Sequence, residues 1–135
     1  MTNVLFVCRY NRFRSKVAEA FFNKINKNPK NAAKSAGVIR GKPISKEIIN
    51  AAKEFGLDLS KENPQGLAVE MLQWNDLTVV VADDVPKEVF NENPVYGKGL
   101  EVWSIQDASS NNKPEMRRII KLIEKKVGEL VERIS

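Results

Sequence analysis

The sequence contains no histidine and only one cysteine, Cys8, among its 135 residues. Without histidine, neither a Ser-His-Asp triad nor a Cys-His pair can form, and most zinc sites lose their usual ligand. One cysteine cannot form a disulfide within the chain or a cysteine-based metal cluster. Any chemistry at Cys8 must therefore proceed without an imidazole base, and we expect neither a metal nor a cofactor.

Long apolar runs are also missing. No run approaches the ~20 apolar residues that cross a bilayer, and residues 1–7 lack the basic region and the cleavage site of a signal peptide. We therefore expect a cytoplasmic protein with no membrane partner. The net charge is +5, but the lysines alternate with acids on predicted helices, as on a solvated surface. We expect no nucleic-acid partner.

What the sequence does contain is an alternation of strands and helices. A chain of this length fits one compact domain over residues 1–135, and we expect it to be a monomer. Apolar runs predict strands at residues 3–8, 32–36, 77–82 and 100–103, and periodic apolar positions predict helices at residues 14–28, 44–55, 66–73 and 114–134. The pattern predicts an α/β fold with three αβα layers, in which helices cover both faces of a four-stranded parallel sheet.

Three chemically useful residues follow predicted strands. Cys8 ends the first strand, Asp83 comes just after the third, and Asp107 comes just after the fourth. In open parallel sheets, ligands bind at the carboxyl ends of the strands, near the point where the strand order reverses. We therefore expect these three residues to lie at one edge of the sheet.

Residues 8–15 form the loop between the first strand and a helix that starts near Arg14. Such a loop can turn successive backbone N–H groups inward, and the helix N-terminus adds unpaired donors and partial positive charge. The planar guanidinium of Arg14 can bind two oxygens of a tetrahedral anion at once. This spacing predicts a cradle for phosphate or a similar oxyanion.

Cys8 would lie at the centre of that cradle. A helix N-terminus and the positive charges of Arg9, Arg12 and Arg14 favour the thiolate over the thiol, and the Ser15 hydroxyl can donate a hydrogen bond to it. These are the conditions for a sulfur nucleophile that needs no histidine. The alternative is a buried structural cysteine, but the spacing to Arg14 and Ser15 favours the nucleophile.

The sequence resembles the low-molecular-weight protein tyrosine phosphatase family, whose fold is shared by a group of arsenate reductases. The resemblance rests on residues 4–15, Ala18-Glu19-Ala20, Ser35-Ala36-Gly37 and Gly56-Leu57-Asp58-Leu59-Ser60. It covers nearly the whole chain, and it implies the phosphotyrosine protein phosphatase I-like form of the α/β fold.

The resemblance also implies a mechanism. Cys8 would attack phosphorus and form a phosphocysteine, while Arg14 and the loop amides hold the phosphoryl oxygens. Asp107 would protonate the leaving group and then act as the base for the attacking water. Independently of the resemblance, Asp83 forms an acidic pair with Asp84, and we expect Asp83 to make a supporting hydrogen bond at the edge of the site. The residues expected in the phosphate-binding loop are Arg9, Tyr10, Asn11, Arg12, Phe13 and Ser15.

The sequence departs from the family at several positions. Tyr10 stands where the phosphatases often have glycine, and Phe13 replaces a second loop cysteine. Ala108 follows Asp107 where the family has proline, and residues 109–110 are serines where aromatics are usual. Phosphotyrosine selectivity needs aromatic walls, so we expect phosphomonoester hydrolysis without assuming that selectivity. The substrate would be a phosphorylated protein or a small phosphomonoester, and Arg9 and Arg12 would favour acidic ones.

Two other functions stay open. An arsenate reductase that uses an external small thiol needs only Cys8, whereas the type that relays a disulfide through two further cysteines is excluded because the chain has one. A non-catalytic homologue that binds oxyanions or phosphoproteins would keep the loop but lack turnover. The presence of Cys8, Arg14 and Asp107 together favours an enzyme.

Overall fold

Strands and helices alternate along the chain in a computed structural model, which describes residues 1–86, 88–91, 99–109 and 111–135. The elements within these residues are β1 (Asn3–Cys8), α1 (Arg14–Ile25), β2 (Ala32–Gly37), α2 (Lys46–Lys53), α3 (Val69–Trp74), β3 (Leu77–Val81), α4 (Glu88–Asn91), β4 (Gly99–Trp103) and α5 (Lys113–Ile134). No helix within them is long and apolar enough to span a bilayer.

The strands form one parallel sheet in the order β2-β1-β3-β4. Strand β1 is central: Val4 pairs with Ala33 of β2 on one side and with Leu77 of β3 on the other. The chain leaves β1 toward β2 and later returns on the opposite side to β3, so the strand order reverses beside the end of β1. Cys8 lies at that point, where parallel sheets bind their ligands.

Helices cover both faces of the sheet because the side chains of β1 alternate between two cores. Val4 and Phe6 pack with buried residues of α1, α2 and α5. Leu5 and Val7 pack on the opposite face with Leu72 of α3 and with Phe90 of α4. The predicted three-layer α/β fold with a four-stranded parallel sheet is confirmed.

Local sequence signals fix several helix ends. The Ser45 hydroxyl accepts a hydrogen bond from the Ile48 amide at 3.3 Å at the start of α2, and the Asn112 side chain accepts from the Glu115 amide at 3.1 Å at the start of α5. Gly56 has a φ of 79° and ends the turn that follows α2. These are standard N-terminal caps and a standard C-terminal stop.

The structure differs from the sequence-based prediction at several helices. Helix α2 is shorter than predicted at both ends, and α3 begins at Val69, three residues later than predicted. Helix α1 ends at Ile25, earlier than predicted, because the Asn26 side chain donates to the carbonyl oxygens of Asn28 and Asn31 and turns the chain. Helix α4 was not predicted, because its four residues are too few to show a helical period.

Candidate active site

The backbone of residues 38–41 holds the 8–15 loop from outside. Three backbone N–H groups of this segment donate hydrogen bonds to three successive carbonyl oxygens of the loop. Val38 donates to Cys8 at 3.0 Å, Ile39 to Arg9 at 2.9 Å and Gly41 to Tyr10 at 3.0 Å. Across a planar trans peptide, the next N–H points away from the carbonyl. The amides of residues 9–11 therefore face the interior of the loop, and that of Asn11 points at the Cys8 sulfur, 3.3 Å away.

Two glycines allow this close approach. A Cβ placed on Gly37 would lie 2.6 Å from the Tyr10 carbonyl carbon and 2.8 Å from the Asn11 nitrogen. A Cβ on Gly41 would lie 2.6 Å from the Tyr10 carbonyl oxygen. Asn11 has a φ of 56°, a left-handed conformation that asparagine tolerates better than most residues. Tyr10 needs no such conformation, so it fits where the family often has glycine.

The Cys8 sulfur is buried and lies 2.9 Å from the Ser15 hydroxyl oxygen. The Asn11 side-chain nitrogen donates to the hydroxyl oxygens of Ser15, at 2.7 Å, and of Ser35, at 3.0 Å. The Asn11 side-chain oxygen accepts the Gln65 amide at 2.9 Å, which fixes the orientation of the amide group. Ser15 thus accepts from Asn11 and has a hydrogen available for the sulfur.

Arg14 is a buried cation that faces three carboxylates. One Nη donates to the Ile105 carbonyl at 2.9 Å, and the other donates to the Asp84 carboxylate, at 2.9 and 3.2 Å from its two oxygens. Carboxylate oxygens of Asp107 and Asp83 lie 3.6 and 3.7 Å from the guanidinium. The three carboxylates therefore surround the guanidinium of Arg14. The positive charge among them is that of an arginine, so they do not form a metal site.

Helix α1 begins at Arg14, and its N-terminus opens toward the loop. No side chain of the described residues caps it, and its first turn contains no acidic residue. The first N–H groups of a helix have no partner within the helix. This end of α1 can therefore contribute donors and partial positive charge to an anion held in the loop.

A cleft of about 320 Å³ lies over the loop. Cys8, Arg14 and the half-exposed Asp107 line it. One carboxylate oxygen of Asp107 accepts the Ala108 amide at 3.0 Å, a hydrogen bond that the proline usual in the family could not donate. The walls come from Tyr10, Arg12, Phe13, Ile48, Ala108 and Ser109.

Side chains at the rim of the cleft are cationic and aromatic. Tyr10 is 38% exposed, and the Arg9 guanidinium carbon lies 5.2 Å from the centre of its ring. The Arg12 guanidinium donates to the Pro43 carbonyl from two nitrogens, at 3.2 and 2.9 Å, which holds it beside the opening. Tyr10 therefore supplies an aromatic part of the cleft lining, and Ile48 supplies an aliphatic part.

The structure brings together the three residues predicted for chemistry, because Cys8, Arg14 and Asp107 line one cleft. Phe13 lines the cleft but is mostly buried in the core, and Arg9 is exposed at the rim. Ser110, at a position where the family usually has an aromatic residue, lies outside the described residues.

Sequence reasoning missed the contacts made by Asp84 and Ser35. The adjacent acids Asp83 and Asp84 were a signal for a carboxylate at the strand end, but not for which one binds Arg14. Ser35 was visible only as part of a resembling segment, and its contact with Asn11 joins residues 24 positions apart.

The sequence pattern of the family described as low molecular weight phosphotyrosine protein phosphatase matches residues 3–135. The chain belongs to this family.

Proteins named as arsenate reductases and a protein named as a phosphatase resemble the chain at comparable levels. Arsenate reductase 1 from Staphylococcus haemolyticus is 28% identical over 129 residues, which cover 96% of this chain and 94% of that protein. A low molecular weight protein tyrosine phosphatase from T. tengcongensis is 27% identical, with a TM-score of 0.87 over 98% of this chain and 99% of that one.

An arsenate reductase from Archaeoglobus fulgidus is 29% identical, with a TM-score of 0.73 over 96% of this chain and 98% of that one. A protein named as an arsenate reductase and one named as a phosphatase therefore both share this fold with the chain. Family membership alone does not choose between phosphate ester hydrolysis and arsenate reduction.

Proposed function

We propose that this chain is a cysteine-dependent phosphatase that hydrolyses phosphomonoesters through a phosphocysteine. One observation carries the proposal: a buried sulfur, inward-facing amides, a guanidinium and a carboxylate line or adjoin a single cleft. A tetrahedral dianion in the loop would meet hydrogen-bond donors at its oxygens and a nucleophile at its centre.

In the first step, the Cys8 sulfur attacks phosphorus, a P–S bond forms and the P–O bond of the ester breaks. Arg14 has five N–H donors, and its bonds to Ile105 and Asp84 occupy no more than three of them. At least two donors therefore remain for phosphoryl oxygens. Asp107 gives its proton to the leaving oxygen as negative charge develops there.

In the second step, Asp107 takes a proton from a water molecule that attacks phosphorus. The P–S bond breaks, inorganic phosphate leaves, and Cys8 returns as a thiolate. The Ser15 hydroxyl, 2.9 Å from the sulfur, would stabilise the negative charge that returns to sulfur. The cycle closes with no redox change and requires no second cysteine.

The rim supports a phosphorylated protein or a small phosphomonoester as the substrate class. Tyr10 can stack against an aromatic leaving group, and the positive charges of Arg9 and Arg12 favour acidic substrates. We also propose that residues 1–135 act as one domain, as a monomer, in the cytoplasm. Gel filtration at several protein concentrations would test the monomer.

Arsenate reduction with an external small thiol is the second candidate, and the arsenate-reductase relatives favour it. Arsenate would occupy the same loop and condense with Cys8, releasing water. An external thiol would then attack sulfur, the As–S bond would break, and arsenic would leave as arsenite while a mixed disulfide forms. A second external thiol would be needed to release Cys8 as the reduced thiol.

The decisive experiment compares both activities in one preparation. We expect hydrolysis of p-nitrophenyl phosphate, and we expect Cys8→Ser to abolish it while vanadate still binds. Arg14→Ala is compared with Cys8→Ser, and it should weaken vanadate binding because it removes the guanidinium that binds the oxygens of the anion. Full activity in Cys8→Ser would contradict the proposed mechanism. Arsenate-dependent thiol oxidation without any ester hydrolysis would favour the second candidate.

A further inference from the structure

A partly buried carboxylate, Glu19, lies on α1 one turn beyond Ser15 and outside the residues that line the proposed substrate cleft. One of its oxygens accepts the Ser35 hydroxyl at 2.6 Å and lies 3.8 Å from the Lys16 ammonium. Lys16 is itself buried, and its ammonium donates to Glu62 at 3.3 Å. None of these contacts is used in the proposed phosphoryl transfer.

Four successive polar contacts join Glu19 to the nucleophile. They run from Glu19 to Ser35 at 2.6 Å, from Ser35 to the Asn11 amide nitrogen at 3.0 Å, from that nitrogen to Ser15 at 2.7 Å, and from Ser15 to the Cys8 sulfur at 2.9 Å. Each distance is within ordinary hydrogen-bonding range. The chain is continuous from a charged acceptor to the sulfur.

The acceptor at one end determines where each hydrogen points. An ionised carboxylate can only accept, so Ser35 must donate its hydrogen to Glu19 and can only accept from Asn11. The two hydrogens of the Asn11 amide then go to Ser35 and to Ser15. Ser15 accepts one of them, which leaves its own hydrogen for the sulfur.

Ser15 has a second acceptor within reach. Its hydroxyl oxygen lies 3.5 Å from the Ala36 carbonyl oxygen, at the limit of a hydrogen bond, against 2.9 Å to the sulfur. If Ser35 were free to rotate, it could stop accepting from Asn11. The Asn11 amide would then hold Ser15 less firmly, and the Ser15 hydrogen could turn toward Ala36.

We propose that Glu19 is a positioning residue for the nucleophile: as the fixed acceptor at the end of this chain of contacts, it keeps the Ser15 hydrogen on Cys8. Burial raises the pKa of Glu19, and the Ser35 hydrogen bond and the positive charge of Lys16 oppose that rise. The carboxylate is the acceptor-only group of this chain once pH exceeds its raised pKa. The proposal deepens the proposed function, and its catalytic meaning rests on that function.

The single cysteine makes the test direct, because iodoacetamide labelling reports on Cys8 alone. We expect Glu19→Ala to slow alkylation about fivefold near neutral pH, the net effect of one ordinary hydrogen bond. The pH of half-maximal alkylation should rise. Glu19→Gln keeps an oxygen acceptor and should stay within about twofold of the wild type. Glu124→Ala removes an exposed carboxylate of α5 and serves as the control.

A double-mutant cycle tests whether Glu19 acts through Ser35. Ser35→Ala should slow alkylation as Glu19→Ala does, and the double variant should be no slower than Ser35→Ala alone. Independent, multiplying effects would overturn the proposal. If Glu19→Ala does not fold, Ser35→Ala carries the test, and wild-type alkylation in that variant would overturn the proposal as well.

These outcomes are separable from the proposed function because alkylation needs no substrate. Dependence of alkylation on Glu19 in a protein that hydrolyses no ester would support the positioning role and contradict the phosphatase. If the protein hydrolyses esters but its alkylation rate does not change in the Glu19 and Ser35 variants, the phosphatase proposal is supported and the positioning role of Glu19 is contradicted.

Discussion

Arg14 is the residue on which the charges of the site converge. It is 1% exposed, and an ion so deeply buried needs a partner to offset the loss of hydration. Asp84 makes the shortest ion pair with it, at 2.9 Å, while Asp83 and Asp107 lie farther away. The acids orient the guanidinium, but their negative charge also opposes an incoming anion.

Asp84→Asn separates these two effects. The amide keeps an oxygen that can accept from Arg14 but removes one negative charge near the cleft. We expect inorganic phosphate to inhibit p-nitrophenyl phosphate hydrolysis at a concentration a few-fold lower, roughly the effect of a unit charge at intermediate dielectric. Asp76→Asn is the control, since Asp76 lies at the opposite edge of the sheet, before β3. Unchanged or weaker inhibition would contradict the expectation.

Asp107→Asn tests the proposed role of Asp107 as the proton donor. The change should slow aryl phosphate hydrolysis by roughly 10²–10⁴, the usual range for lost general acid–base help. The loss should be larger for phenyl phosphate than for p-nitrophenyl phosphate, because the more basic phenolate depends more on protonation. An equal loss for both esters in a kcat/KM comparison would argue against proton donation by Asp107.

Among the elements, the 8–15 loop owes its shape to the segment that follows β2. Three backbone hydrogen bonds from residues 38–41 hold its carbonyls outward, and Gly37 gives the loop the room to pack closely. The amides that we propose to bind the anion are therefore positioned by backbone contacts between two elements. Side chains of the loop take little part in this alignment, with Asn11 as the exception.

Gly37→Ala should damage both stability and activity. Its Cβ would collide with loop backbone atoms, which cannot move as a flexible side chain can, and we expect a loss of about 1–3 kcal/mol. Gly128→Ala is the matched control, because a Cβ there meets nothing within 4 Å. It lies in α5 and should stabilise the protein by about 0.5–1 kcal/mol. Urea unfolding measures the stability of each variant, and ester hydrolysis measures its activity. A Gly37→Ala variant with unchanged stability and activity would contradict the predicted collision.

Strongly patterned elements could be predicted from the sequence, and weakly patterned ones could not. The continuous apolar run of β3 and the spacing of buried residues along α5 identified these elements almost to the residue. Helix α4 has only one turn, and the early end of α1 depends on side-chain contacts of Asn26. Such features depend on specific side-chain contacts, which the spacing of apolar residues in the sequence does not reveal.

At the scale of the whole molecule, the parallel sheet determines which residues meet. Cys8, Asp83 and Asp107 are far apart in sequence, yet they follow strands that end at the same edge. This juxtaposition was predictable because parallel strands have only one carboxyl edge. The choice of Asp84 over Asp83 as the partner of Arg14 depends on how the chain turns after β3, and sequence reasoning could not determine it.

The partial burial of Glu19 has a consequence for the stability of the whole fold. Burial raises the pKa of Glu19, while the Ser35 hydrogen bond and the charge of Lys16 oppose that rise. The folded state thus holds this proton at pH values where the unfolded chain has released it. Its stabilising contribution is complete below the unfolded-state pKa and is lost as pH rises through the folded-state pKa.

Glu19→Gln should therefore gain stability relative to the wild type as pH rises from the ordinary pKa of a glutamate through the raised pKa of Glu19 in the folded state. Urea unfolding at several pH values measures the difference. Asn23→Ala, on the same helix but without a titratable group, is the control, and its difference from the wild type should not follow pH. A constant difference for Glu19→Gln would contradict the direction of the shift.

The outward carbonyls of the 8–15 loop also bear on how readily this protein could change its substrate. Since the amides that would bind the anion belong to the backbone, the side chains of Arg9, Tyr10 and Arg12 are free to vary without dismantling the cradle. Libraries randomised at these three positions should yield many folded variants that still bind vanadate yet differ in preferred leaving group. The geometry thus separates chemistry from selectivity, so that new specificities are accessible by few mutations.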